Sequence, residues 1–198
     1  MTESASDEIL MAAYQAGNQE AFRALFDRHA GSVYGFLVRR LGDRALAEDL
    51  YQEAFLRLHR ARASYDSRRP FRAWLFAIVH NLLNDALRQR QRSGEVLAAS
   101  IPGTSGADRP EMQAQAAIEQ SPEHAVAARQ SGEALARALS ALPGDEATVL
   151  ILARLEGLSY EDIAPIVGRS PAAAKQLAYR ALRRVRAELV AAGHGEEP

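Results

Sequence analysis

Apolar residues at helical spacing on both sides of a glycine- and proline-bearing stretch limit the fold of this chain more than anything else in it. From Ala45 to Arg62, the residues Ala47, Leu50, Tyr51, Ala54, Phe55 and Leu58 recur at i, i+3, i+4, i+7, i+8 and i+11. They make one stripe of an amphipathic helix that must face a core. No run of alternating β-branched residues invites a strand. Gly94, Pro102, Gly103, Gly106 and Pro110 break any sustained apolar period, so that stretch reads as a flexible linker. Ser121-Pro122 then pairs an N-cap with proline at the first helical position, and Leu135, Leu139 and Leu142 resume helical spacing. The expected fold is all-α, two small helical domains over residues 7–92 and 121–190 with a linker at 93–120. A chain of 198 residues, 47% hydrophobic and 25% charged, can build two such cores.

Composition excludes several kinds of chemistry. With no cysteine, there are no disulfides, thiolate zinc sites, iron-sulfur clusters or cysteine nucleophile. His29, His59, His80, His124 and His194 are scattered and no nucleotide-binding glycine motif occurs, so neither enzymatic activity, a metal nor a cofactor is expected. No stretch approaches the roughly 20 apolar residues of a membrane helix, and Met1 to Glu8 is acidic and polar. A cytoplasmic protein without membrane insertion is expected. The net charge of −1 conceals a basic, acidic, basic layout. Arg68 to Arg92 holds six Arg against one acid, Asp85; Arg169 to Arg186 holds five Arg and Lys175 against none. Ser93 to Ala134 between them has two Arg and six acids, a pattern that suits two separate polyanion-binding surfaces.

On the helix from Ala45 to Arg62, Leu56 projects away from the apolar stripe, ringed by Asp49, Gln52, Glu53 and Arg60. Two readings stand: a lone exposed leucine, which is common, or an apolar anchor within a polar rim that docks another protein. The helix after Pro70 is apolar on two sides, with Phe71, Trp74, Leu75, Ile78, Val79 and Leu82 on one and Phe76, Leu83 and Leu87 on the other. Between them run His80, Asn84 and Arg88 at i, i+4, i+8, flanked by Asn81. The preceding loop mixes Tyr65 with Arg68 and Arg69. Guanidinium groups, an aromatic ring and Asn side chains suit single-stranded nucleic acid; a solvated strip with Tyr65 tucked into the core is the competing reading.

The run Ala47-Glu48-Asp49-Leu50-Tyr51-Gln52-Glu53-Ala54-Phe55-Leu56-Arg57-Leu58, followed by Pro70-Phe71-Arg72-Ala73-Trp74-Leu75-Phe76-Ala77-Ile78 and by Asn81 to Arg88, resembles region two of the extracytoplasmic-function sigma factors of bacterial RNA polymerase. The resemblance implies that Asp49, Gln52, Glu53, Leu56 and Arg60 dock on the clamp helices of the polymerase's largest subunit. It implies equally that Tyr65, Arg68, Arg69, His80, Asn81, Asn84 and Arg88 serve the melted minus-ten promoter element. Family members usually carry Arg where this chain has His80.

In the second half, Asp145 to Leu155 is apolar enough for a buried helix that Gly157 can end. Ser159, with Asp162 placed for a capping box, begins another, which Gly168 closes. Ser170-Pro171 caps a third, longer helix. Its core face is expected to hold Ala174, Leu177, Ala178, Ala181, Leu182, Val185 and Leu189, with Ala172, Lys175, Gln176, Tyr179, Arg183 and Arg186 opposite. Two helices joined by a glycine turn, the second basic on its free face, predict a helix-turn-helix. Pro165 falls inside its first helix, so a kink or early ending is expected there.

Ala141-Leu142-Pro143 and Leu155-Glu156-Gly157-Leu158-Ser159-Tyr160-Glu161-Asp162-Ile163-Ala164, with Gly168, Ser170 and Lys175, are similar to region four of the same family, which reads the minus-thirty-five element as duplex. The implied contacts are Arg169, Ala172, Lys175, Gln176, Tyr179, Arg183 and Arg186. The expected protein is thus a non-enzymatic sigma factor with core RNA polymerase and promoter DNA as partners, and an anti-sigma factor as a further candidate. A stand-alone helix-turn-helix regulator with a sensing or dimerising N-terminal half is the alternative.

Overall fold

A computed structural model describes residues 5–93, 132, 134–135, 137–139 and 141–192. Of the expected linker at 93–120, Ser93 is the last residue of the helix that begins at Phe71, while 94–120 and the Ser121-Pro122 cap lie outside the described residues. All regular secondary structure among the described residues is helical: α1 (Asp7–Gln15), α2 (Gln19–Leu41), α3 (Arg44–Ala61), a single 3₁₀ turn (Arg62–Ser64), α4 (Phe71–Ser93), α5 (Gly144–Arg154), α6 (Tyr160–Ile166) and α7 (Pro171–Ala191). Residues 132, 134–135 and 137–139 are also helical.

Side chains placed for the purpose begin most of these helices. Asn18 Oδ1 accepts from the amides of Glu20 and Ala21, Asp43 Oδ1 from Leu46, and Ser170 Oγ from Ala173, so orphan amides of the first turn are met. At α6, Ser159 Oγ accepts from the Asp162 amide at 3.2 Å and donates to the Asp162 carboxylate at 2.7 Å. Gly157 (φ 67°) and Gly168 (φ 64°) occupy left-handed conformations on either side of α6, where a Cβ would be strained. Pro165 has no amide to give the Glu161 carbonyl, and α6 ends one residue later, as the sequence predicts.

The predicted apolar stripes are the core. Ala47, Ala54, Phe55 and Leu58 of α3 are buried, as are Phe71, Leu75, Phe76, Val79, Leu82 and Leu83 of α4, which is packed on both sides. One position departs from expectation. Leu182, assigned to the core face of α7, is 43% exposed, because the buried line Ala174, Leu177, Ala178, Ala181, Val185 passes to one side of it.

Helix α1 is fixed by charge as well as by buried Leu10, Met11 and Tyr14. Glu8 Oε1 accepts the Phe71 amide at 3.0 Å and so caps α4, which begins just after a proline. Asp7 holds Arg28 at 2.5 Å and His29 at 2.7 Å. Burial of Asp7 acts to raise its carboxyl, but the hydrogen bonds and charges of His29 and Arg28 outweigh it and hold the group below 3.8. The stability that Asp7 contributes is therefore complete above pH 3.8 and is lost as the pH falls through the lower folded value. Asp7→Asn is expected to cost about 1–3 kcal/mol at neutral pH, as loss of a charged hydrogen bond does. In urea unfolding of the two proteins, that difference should shrink once the pH is below 3.8; a constant difference at every pH would assign the effect to packing instead.

Candidate nucleic-acid interface

The outer face of α3 collects the residues predicted for protein docking. Leu56 is 51% exposed on the side opposite buried Ala47, Ala54 and Leu58. Asp49, Gln52 and Arg60 are exposed around it, and half-buried Glu53 accepts from Arg57 Nε at 3.1 Å and Arg60 Nη1 at 3.4 Å. These i, i+4 and i, i+7 pairs hold the rim in shape around an apolar centre. Behind the rim, Arg57, Arg60 and Ala61 of α3 and Ile78 and Asn81 of α4 line an open hollow of roughly 410 Å³. Exposed Asn81 thus borders the Leu56 face as well as its own helix.

The loop before α4 divides its residues between surface and core. Arg68 is exposed and grips Asp66 through Nε and Nη2, each at 2.9 Å. Those hydrogen bonds and the Arg68 amide hold the Asp66 carboxyl down at about 2. Arg69 is also exposed. Tyr65 is not available for stacking on bases: it is 5% exposed, its ring lies 5.0 Å from that of Trp74 and 5.9 Å from that of Phe71, and its hydroxyl donates to the Arg69 carbonyl at 2.5 Å. Burial, then the charges of Glu8, Asp66 and Asp7, pushes the phenol up to about 12. Tyr65→Phe is accordingly expected to cost about 0.5–1.5 kcal/mol of stability, one hydrogen bond, without weakening capture of single-stranded promoter DNA. Paired denaturation and open-complex assays check this, and a loss of capture in a fully stable variant would return the ring to the DNA.

His80 is a second correction. It is 4% exposed, beside Asn84, whose Nδ2 lies 2.9 Å from His80 Nε2. Burial lowers its pKa, with Asp145 acting to raise it and Arg40 to lower it further, and a ring so covered is out of a phosphate's reach. The physical reason is tertiary. Arg40 of α2 and Asp145 of α5 come close enough to the ring to act on it, while nearer the start of α4 Arg69, Pro70, Ala73, Trp74 and Ala77 face Glu161, Asp162, Pro165 and Ile166 of α6 across a cavity of roughly 370 Å³. Arg88 is exposed and pairs only loosely with Asp85, at 3.7 Å.

On α7 the residues predicted to touch DNA stand clear. Ala172, Lys175, Gln176, Tyr179, Arg183 and Arg186 are all on the side away from buried Ala174, Leu177, Ala178, Ala181 and Val185, and all are exposed. Among the described residues, Lys175, Arg183 and Arg186 form no ion pair. Arg169 at the turn meets Asp145 at 2.9 Å. Sequence reasoning missed where the remaining arginines go: Arg180 and Arg184, themselves exposed, reach from the surface to buried Glu146, at 3.7 and 3.2 Å. Their i, i+4 spacing was the available signal.

Two helical units, one ending in a capped helix-turn-helix with a free basic face and the other bearing an exposed leucine in a polar rim, are the layout of a DNA-binding transcription factor. Comparison with known proteins gives the family. The Sigma-70 region 2 model matches residues 25–93 and the Sigma-70 region 4 model residues 132–185. The RNA polymerase sigma factor CarQ of Myxococcus xanthus is 34% identical over 180 residues, 89% of this chain and 93% of CarQ. The ECF RNA polymerase sigma factor SigW of Bacillus subtilis is 30% identical over 174 residues, 87% of this chain and 91% of SigW. Among solved structures, CnrH in complex with the cytosolic domain of CnrY superposes with a TM-score of 0.65 at 26% identity, covering 94% of this chain and 99% of CnrH. The chain belongs to the sigma-70 family, as an extracytoplasmic-function sigma factor, and directs RNA polymerase to promoters. Its partners are core RNA polymerase and promoter DNA. No helix among the described residues is long and apolar enough to cross a membrane.

Proposed function

We propose that the three surfaces divide the work of initiation, with boundaries at 7–92 and 121–190 for the two working domains and 93–120 for the linker. Leu56, within the rim of Asp49, Gln52, Glu53 and Arg60, anchors the factor on the clamp of the polymerase. Arg68, Arg69, Asn81, Asn84 and Arg88 capture the displaced strand of the minus-ten element, arginines on phosphates and amides on base edges. Free energy for melting comes from holding bases that have left the stack. Helix α7 enters the major groove of the minus-thirty-five duplex, where Ala172, Lys175 and Gln176 in its first turns meet base edges and Tyr179, Arg183 and Arg186 follow the backbone. Arg169, at the turn, joins the backbone contacts. The protein catalyses no reaction itself, needs no cofactor and works in the cytoplasm. An anti-sigma protein is a further partner, for which the complex of CnrH with the cytosolic domain of CnrY offers an analogy.

One observation carries this reading: the exposed basic face of α7 sits on a helix whose opposite side is buried along Ala174, Leu177, Ala178, Ala181 and Val185. Reconstituted run-off transcription tests it. Core polymerase with this chain should start discrete transcripts from genomic fragments, and core polymerase alone should not. Binding to those fragments without the polymerase, and no transcripts with it, would instead describe a self-sufficient regulator.

A further inference from the structure

The loop that carries Arg68 and Arg69 is held at both ends by α1, a helix remote from it in sequence. At its entrance, Gln15 Nε2 donates to the carbonyls of Arg62, at 2.7 Å, and Tyr65, at 2.9 Å. At its exit, Glu8 Oε1 accepts the Phe71 amide at 3.0 Å. Glu8 and Gln15 stand two turns apart on α1, which sets them on one face about 10 Å from each other along the axis. The hydroxyl of Tyr14, next to Gln15, hydrogen-bonds His59 Nδ1 near the end of α3, and the Arg62 guanidinium lies 5.8 Å over the Tyr14 ring. One short helix thus spans the gap between the end of α3 and the start of α4.

The loop needs such support. Tyr65 at its start and Phe71 just past it are buried, but Ser67, Arg68, Arg69 and Pro70 are exposed and Asp66 is half-buried, so packing fixes two rings and not the peptides between them. Inside the loop the polar ties overlap. The Arg69 amide donates to the Asp66 carbonyl at 2.9 Å and the Arg68 amide to Asp66 Oδ1 at 3.1 Å, so loss of a single tie, such as that of the Tyr65 hydroxyl to the Arg69 carbonyl, leaves the turn closed. At the ends, the Tyr65 carbonyl and the Phe71 amide each meet α1 through one side chain. A segment already in shape is not ordered again when it takes hold of a ligand, so that entropy does not subtract from the affinity.

We propose that α1 is a splint for this loop, with Gln15 and Glu8 as positioning residues that preset the spacing and direction of Arg68 and Arg69 toward the displaced strand of the minus-ten element. The inference rests on the reading of the loop as a DNA contact. In this role neither side chain touches DNA; each acts through backbone groups of the loop. Charge separates the splint from a plain electrostatic effect. Glu8 is an anion beside a surface for phosphates, so by charge alone its removal strengthens DNA binding, whereas by loss of the hydrogen bond its removal weakens it.

The test uses holoenzyme reconstituted from core polymerase and the full-length chain, with affinity measured for a promoter whose minus-ten element is already single-stranded. Gln15→Ala, at an exposed position and with no change of charge, and Glu8→Ala should each weaken that complex roughly three- to tenfold, as one or two lost hydrogen bonds do. Glu8→Gln keeps an oxygen to accept the Phe71 amide and should bind within about twofold of the unmutated protein. Affinity for core polymerase should not change. Hydrogen exchange in the free chain gives a second reading: in Gln15→Ala the Arg69 amide, inside the loop, should exchange faster while that of buried Val79 on α4 does not, which tells a loosened loop from a general loss of stability. If Glu8→Ala loses helix content, Gln15→Ala decides. Unchanged capture by Gln15→Ala would sink the splint, and tighter capture by Glu8→Ala would assign that residue's effect to its charge and overturn its role. Arg68→Ala with Arg69→Ala separates the two levels: if this pair weakens the complex and the α1 variants do not, only the splint is lost, whereas no effect of the pair overturns the reading of the loop itself.

Discussion

A Leu56→Glu variant is expected to fold normally and to lose core polymerase. The side chain is half out of the protein on the face opposite Ala47, Ala54 and Leu58, so a carboxylate there disturbs no core. At the centre of a docked patch it would be desolvated beside Asp49 and Glu53, carboxylates that repel it. Central anchors of this kind contribute about 2–4 kcal/mol, so affinity should fall roughly 30- to 1000-fold. Fluorescence anisotropy with core polymerase measures the loss, and circular dichroism shows whether the helices are intact. Full binding by a folded variant would leave Leu56 as one more exposed leucine.

The other large effect lies on α7, and two changes there should differ in kind. Gln176→Ala removes an amide that the proposed docking sets near base edges, where a well-placed pair discriminates by about 1–3 kcal/mol, and should relax preference at one or two upstream positions. Arg183→Ala removes a charge that the proposed docking sets on the DNA backbone. It should weaken all promoters alike and lower the logarithmic salt slope by about 0.9. Footprinting or binding of the reconstituted holoenzyme to a promoter set at several salt concentrations reads both quantities. Identical behaviour of the two variants would refute the division of labour along the helix.

Much of this was legible without coordinates because it is local. Helical spacing alone placed Leu56 outward and Ala54, Phe55 and Leu58 inward, and both agree with the structure. The punctuation of the helix-turn-helix, Gly157, Ser159, Gly168 and Ser170-Pro171, depends on backbone conformation and first-turn amides, which neighbours in sequence decide. What was not legible depends on residues far apart in the chain. His80 reads as part of a polar strip of α4, but whether it is covered depends on Arg40 of α2 and Asp145 of α5, each forty or more residues away in the chain. Tyr65 failed for a related reason. Its loop composition suited nucleic acid, while its burial follows from where Phe71, Trp74 and the Arg69 carbonyl come together.

Helix α6 has seven residues and a proline among them, far below the roughly 12–15 at which an isolated helix becomes even marginal in water. It exists only while α5 and α7 hold it, through buried Ile163, Ala164 and Ile166. Held only by its neighbours, α6 is the part of the unit that opens most easily by itself, and in hydrogen exchange its amides should exchange ahead of those of α5. The angle at which α7 is presented is then set first by α5, on which it packs most extensively, and α6 trims it from the other side, so that a local opening there loosens the basic helix before the unit as a whole comes apart.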